Sequence, residues 1–290
     1  MKICYALLWA VVMVAMVSCS GNSSHNDTRP KAAVKEVVHP FVALCSNINY
    51  ADTAALHDEE VMKQTMAEVV KKLLVTDSVT ARRGLAVLFD GLRHDEEALI
   101  SATECAGLYL GDPSSPVRNE GVYIRFLNTL LDVDSIPAVV RDVAAERLRV
   151  AMLNRRGTLA NDFRFEDREG ARRSLYGIES PITLVVFYDP ECSHCTDILN
   201  AIAANKAVNA AVDEGRLTVV AIYAEGKRDV WRKSLGDMPA NWTVGYDLSA
   251  ILDNELYDLP AMPTLYLLNA DKRVLLKDPD FRQLGKIFAR

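Results

Sequence analysis

The chain lacks a second Cys-x-x-Cys and any His-x-x-His. Cys192 and Cys195 form its one close cysteine pair, and the other cysteines and the five histidines are scattered singly. A structural zinc needs four ligands at set spacings, so no metal site is expected. Positive charge is also in deficit. With 33 Lys and Arg against 39 Asp and Glu the formal charge is -6, which argues against nucleic acid or an anionic membrane surface as partner. A long apolar run is missing as well: the stretch after Met1-Lys2 ends at Val17, too short for a comfortable membrane span. A peroxidatic cysteine usually sits in a Pro-x-x-x-Thr-x-x-Cys context, but Val185 and Asp189 hold those two positions before Cys192.

What is present divides the chain. Half of its residues are hydrophobic and a quarter are charged, ordinary for a folded globular protein, and 290 residues suit two domains. Met1-Lys2 and the apolar run behind it have the layout of a signal peptide, residues 1–18. Met16-Val17-Ser18-Cys19 resembles a bacterial lipobox, so Cys19 is expected to be lipidated and to become the mature N-terminus; ordinary cleavage nearby is the alternative. Either route exports the chain to a compartment that permits stable disulfides. Residues 19–35 are polar and aperiodic, and read as a lipid-anchored flexible tether.

Residues 36–155 read as an all-α domain. Val61, Met62, Met66, Val69, Val70, Leu73 and Leu74 recur at helical spacing. Further helices are expected at Leu85–Leu92, Ala98–Tyr109, Val122–Leu131 and Ser135–Met152, the last with Pro137 in its first turn. Glu59-Glu60 and Asp95-Glu96-Glu97 suit N-terminal helix turns, where negative charge is favourable. Cys45 and Cys105 read as small buried hydrophobes rather than as a bridge. No catalytic constellation assembles in this part.

Residues 156–290 carry a different pattern. Leu159–Phe165 suits a strand, followed by a turn at Gly170. Thr183-Leu184-Val185-Val186-Phe187-Tyr188 is an uncharged β-branched and aromatic run, short enough for a buried strand. Asp189-Pro190-Glu191 breaks it, Cys192-Ser193-His194-Cys195 follows at once, and Thr196–Ala204 reads as a helix. Such a turn puts the first sulfur at a helix N-terminus, where unpaired N–H groups and the macrodipole stabilise a thiolate. A purely structural disulfide is disfavoured, because so short a loop restricts the unfolded chain little. Leu217–Tyr223 is a second buried strand, and helix-length stretches follow at Asp229–Leu235 and Ser249–Leu256. Then come the loop Leu259-Pro260-Ala261-Met262-Pro263-Thr264, a strand Leu265–Leu268, a turn at Asn269–Lys272, a partner strand Arg273–Leu276 and a helix Phe281–Phe288. That order predicts a central mixed sheet with helices on its faces.

This order, with Cys-x-x-Cys after the first buried strand and Met262-Pro263-Thr264 before the hairpin, resembles the α/β thioredoxin fold. Within it, Ala160-Asn161-Asp162-Phe163 and the Gly170 turn resemble the TlpA/ResA-like thiol–disulfide oxidoreductases of bacterial envelopes. The helical part, with Ser115-Pro116-Val117-Arg118-Asn119-Glu120 and Tyr123, resembles a domain of unknown function that precedes thioredoxin domains in Bacteroidota-type lipoproteins. The resemblance implies that Cys192 attacks a substrate disulfide and Cys195 resolves the mixed disulfide. It makes His194 a group able to stabilise the thiolate and Pro263 a cis-proline, with Met262 and Thr264 beside it meeting an extended substrate segment. It implies no cofactor; the partners would be protein thiols and disulfides of the envelope and a membrane electron donor.

The departures matter. Glu191 stands where thioredoxins commonly have Trp, and Ser193-His194 where they have Gly-Pro. Val186 replaces the buried acid six residues before the first cysteine, and Ile198 a glutamate three residues after the second. Asp189 and Glu191 would oppose a thiolate by repulsion. The resolving step therefore lacks an obvious base. The expectation is an envelope-anchored thiol–disulfide oxidoreductase. A non-catalytic thioredoxin-like binding module, motivated by the missing acids, is the alternative, with a thiol peroxidase behind it.

Overall fold

Aspartate and asparagine caps begin four of the five longer helices of the first half. Asp58, Asp77, Asp95 and Asn119 each accept main-chain N–H groups that the first helical turn leaves unpaired, an arrangement worth about 1 kcal/mol per cap. The computed structural model describes residues 38–279 and 281–288; the expected signal peptide, Cys19 and the tether lie outside them. Helices α1 (Pro40–Ser46) and α2 (Thr53–His57) precede α3 (Glu59–Leu73), α4 (Ser78–Leu92), α5 (Glu96–Leu110), α6 (Glu120–Leu131) and α7 (Ala138–Met152). The first two are too short to show a periodicity and were not expected. Pro137 is the N-cap of α7 rather than part of its first turn. Met66, Val69 and Leu73 of α3 share one core with Leu85 and Phe89 of α4, Leu99 of α5 and Phe126 and Leu127 of α6. Phe89 and Phe126 meet edge to face, with ring centroids 4.9 Å apart. Cys45 and Cys105 are free thiols inside this core.

The second half is a mixed sheet with helices. Its strands are β1 (Arg164–Asp167), β2 (Arg172–Ser174), β3 (Ile182–Tyr188), β4 (Leu217–Tyr223), β5 (Thr243–Asp247), β6 (Thr264–Asn269) and β7 (Val274–Lys277). Their order across the sheet is β2-β1-β5-β4-β3-β6-β7. Strand β3 pairs parallel with β4 and antiparallel with β6; β4 pairs parallel with β5. Both faces of β3 are buried, which is why it reads as a continuous apolar run. Leu184, Val186 and Tyr188 belong to one core together with α8 (Ser193–Ala204) and α9 (Lys206–Asp213), while Val185 and Phe187 belong to the other. Helices α10 (Arg228–Ser234) and α11 (Phe281–Phe288) complete the described residues, among which no helix is long and apolar enough to cross a membrane.

The structure corrects the expected helix at Ser249–Leu256. This segment is a series of turns: the Asp247 carboxylate accepts the N–H groups of Ser249 and Ile251, and Ala250 and Glu255 take left-handed backbone conformations, with φ of 49° and 46°. Such residues interrupt a helix. The partner strand of the hairpin begins at Val274, and Arg273 instead bridges to Leu159.

The helical and sheet parts belong to one compact unit, residues 38–290. Lys277 of β7 is buried between them, its ammonium 3.1 Å from Asp258 and 2.5 Å from Glu120 of α6. The same ammonium donates to the Leu153 carbonyl just beyond α7, at 3.2 Å. Arg118 pairs with Asp278, and the Asn154 amide donates to the carbonyl of Leu256 at 2.7 Å.

Candidate functional site

The register of the sheet sets the site at one end of β3. Phe187 lies opposite Thr264 in the β3–β6 pairing, so the next positions, Tyr188 and Pro263, adjoin where the two strands leave the sheet. The chain turns through Asp189-Pro190-Glu191, with the Asp189 carboxylate accepting the Glu191 N–H at 2.9 Å. Cys192 then caps α8, its sulfur accepting the Cys195 N–H at 3.4 Å. This sulfur is half-buried, and its pKa is lowered by the Cys195 N–H and, further down, by the main-chain N–H of His194; the nearby charge of Asp189 works against them. Unpaired N–H groups at a helix start stabilise negative charge, so the thiolate is favoured here.

Cys195 is the opposite case. It lies one turn into α8, fully buried, and burial pushes its thiol up to about 12. Its sulfur accepts the Asp189 N–H at 3.4 Å. Both cysteines are unbridged thiols. The first environment favours a thiolate and the second a protonated thiol.

The remaining expected residues are placed as follows. The Met262–Pro263 peptide is cis. Met262 packs against the apolar cluster that Cys192 also touches. Thr264 is buried, and its hydroxyl donates back to the Ala261 carbonyl at 2.5 Å, closing the loop on itself. The His194 ring is exposed, and among the described residues nothing hydrogen-bonds to it; this residue reaches Cys192 through its main chain. Asp189 and Glu191 both act on Tyr223, and Asp189 acts on both sulfurs as well. Sequence reasoning missed the Asp189 N–H contact to Cys195, although a turn of Asp-Pro before the pair was the signal for it. It also missed a cleft of about 510 Å³ lined by Leu108, Tyr123, Arg147 and Val150 of the helical part and by Asp258 and Pro260 of the loop that leads to Pro263. Among the described residues no three His, Cys, Asp or Glu side chains converge on a metal position.

A thioredoxin-like protein from Bacteroides caccae is 31% identical in a crystal structure that superposes with a TM-score of 0.77, over 92% of this chain and 99% of that one. The chain belongs to the thioredoxin-like proteins. Residues 45–154 of this thioredoxin-like chain match a domain of unknown function, DUF5106, so the helical part carries a family model of its own. The C-terminal domain of an uncharacterized protein from Bacteroides fragilis is 35% identical, over 47% of this chain and 99% of that one, with a TM-score of 0.46. The thioredoxin domain of a thiol-disulfide oxidoreductase from Bacteroides vulgatus is 19% identical, over 46% of this chain and 98% of that one, with a TM-score of 0.41. No curated protein matches the chain.

Proposed function

We propose that the protein is a thiol–disulfide oxidoreductase that exchanges disulfides with protein substrates of the cell envelope through Cys192 and Cys195. The observation that carries this reading is the unequal pair: a half-buried helix-cap sulfur whose pKa is lowered, one turn from a buried thiol whose pKa is raised. An attacking thiolate and a resolving thiol need these opposite environments, because the nucleophile must ionise while its partner waits. Cys192 attacks a substrate disulfide, and Cys195 displaces the substrate as a thiol. Pro263 and Met262, beside the end of β3, form the edge along which an extended substrate segment lies, and the His194 main chain helps to hold the thiolate. The leader pattern at residues 1–18 supports export, and Ser18-Cys19 supports a lipid anchor facing the periplasm. A membrane electron donor would then keep the pair reduced.

The test is thiol exchange with a disulfide-bonded protein substrate. Wild type is expected to reduce it catalytically, and Cys192→Ser to lose activity by about three orders of magnitude or more, the scale on which removal of a catalytic nucleophile acts. A Cys192→Ser protein as active as wild type sinks the proposal.

A further inference from the structure

The helical part leaves two apolar stripes uncovered. On α5, Ile100 and Leu108 stand two turns apart with Glu104 between them, beside the stripe that enters the core through Leu99, Ala102 and Ala106. On α7, Val139 and Val143 repeat at the same four-residue spacing and lead to Arg147 and Val150. Leu108 is 56% exposed, Val139 49% and Val143 41%, so the core makes little use of them. A cavity of about 160 Å³ lies between Ile100 and the two valines. It shares Glu104 and Arg147 with the cleft that runs past Leu108 and Val150 to Pro260, so the two form one groove.

The groove ends where the sheet carries the dithiol. Lys277 lies opposite Tyr266, and the Asp278 N–H donates to the Leu265 carbonyl. Both therefore stand near Thr264, which pairs with Phe187 at the end of β3. Arg118 and Glu120, which line the cleft, hold the helical part there through Asp278 and Lys277. Most charges of the groove are already matched. Glu120 and Asp258 share Lys277, Glu146 pairs with Arg149, and Arg147 meets the Thr103 carbonyl and the Tyr123 hydroxyl. Glu104 is exposed, lines both cavities and has no cationic partner among the described residues.

We propose that this groove seats a segment of the substrate protein, apolar with a lysine or arginine that pairs with Glu104, while the substrate's disulfide lies at Cys192. The inference rests on the exchange reading above and deepens it by naming the substrate class. Apolar side chains laid along Ile100, Leu108 and Val143 would take exposed apolar surface out of water. An unmatched carboxylate among them favours a cation and repels an anion, which selects the partner by charge. Ile100 to Leu108 spans about 12 Å of helix, room for about four extended residues. Pro260 closes the groove three residues before Pro263, so a chain leaving it runs toward the edge beside Met262.

The experiment measures the second-order rate at which the reduced full chain reacts with two synthetic peptides at low ionic strength. Each peptide has a cysteine capped as a mixed disulfide with 5-thio-2-nitrobenzoate, with a Gly-Ser spacer and a leucine-rich segment on both sides. One carries a lysine in each segment and the other a glutamate; release of the coloured thiolate reads the rate. Wild type is expected to react about fivefold faster with the lysine peptide. Glu104→Lys should reverse that preference, and Val143→Ser should slow both peptides about threefold through lost apolar contact. Ellman's reagent has nothing to place in the groove, so it should react equally with all three chains, which also shows that the variants fold. Equal rates for the two peptides in wild type, or a preference that survives in Glu104→Lys, overturn the inference and leave the exchange reading standing. A native chain that sediments as a dimer, dissociated by Leu108→Asp, assigns the groove to a second copy and overturns it too. A Cys192 inert to Ellman's reagent removes the exchange reading and this inference together.

Discussion

The two halves of the molecule each hold two described cysteines, and they treat them differently. Cys45 and Cys105 sit in the helical core, where burial drives the first up to about 11 and raises the second. Cys195 is equally buried in the sheet half and behaves as they do. Cys192 alone among the four has its pKa lowered, and it alone caps a helix. The lesson is that backbone placement, not residue type, decides which way a thiol's pKa moves: N–H groups left over at a helix start do what an apolar core cannot.

That contrast can be broken in three ways, taken from the largest effect down. Iodoacetamide at neutral pH should modify Cys192 at least about a thousandfold faster than Cys45 or Cys105, since core thiols react only through opening of the fold; peptide mass mapping over time reads this, and comparable rates would erase the distinction. Cys45→Ala should lower stability by about 1 kcal/mol, the scale of a small buried void, and leave exchange activity untouched; denaturant unfolding and the exchange assay together check it, and lost activity would give the helical thiol a role denied to it here. Finally, the alkylation rate of Cys192 should reach its half-maximum at a pH below the ~8.5 of a free cysteine. The sign follows from the cap: a lowered pKa leaves more thiolate at neutral pH, so the rate profile shifts to lower pH. A midpoint at or above that of free cysteine would remove the cap from the argument.

Much of this architecture was legible in the residues. The β3 run is apolar on both faces because both faces are covered, and α3 to α7 announce themselves by stripes that meet in one core. The dithiol was legible because a strand, a breaking turn and a helix are each local signals. Strand β5 was not, since Gly245 stands at its centre and weakens any strand pattern. The glycine is there because the Phe165 ring and Ile222 crowd the position a Cβ would take, a cause that lies on other strands. The segment Ser249–Leu256 misled for a similar reason: its apolar spacing suits a helix, but left-handed Ala250 and Glu255 turn the chain. At the site, the pair could be read from spacing and its proline from the family resemblance, while the contact between Asp189 and Cys195 depends on how the turn folds back.

Lys277 bears on how the molecule comes apart. Its ammonium is shared by a carboxylate and two carbonyls of the helical half and a carboxylate of its own half. Pulling the halves apart would strip a buried cation of most of its company, and such a loss typically costs about 3–5 kcal/mol. The two halves are therefore expected to unfold as one cooperative unit, which coincident transitions from probes in each half would show. A protease that nicked the Arg155-Arg156 connection would leave Glu120 on Lys277 and Arg118 on Asp278, charge contacts whose residues lie far along the chain from the cut.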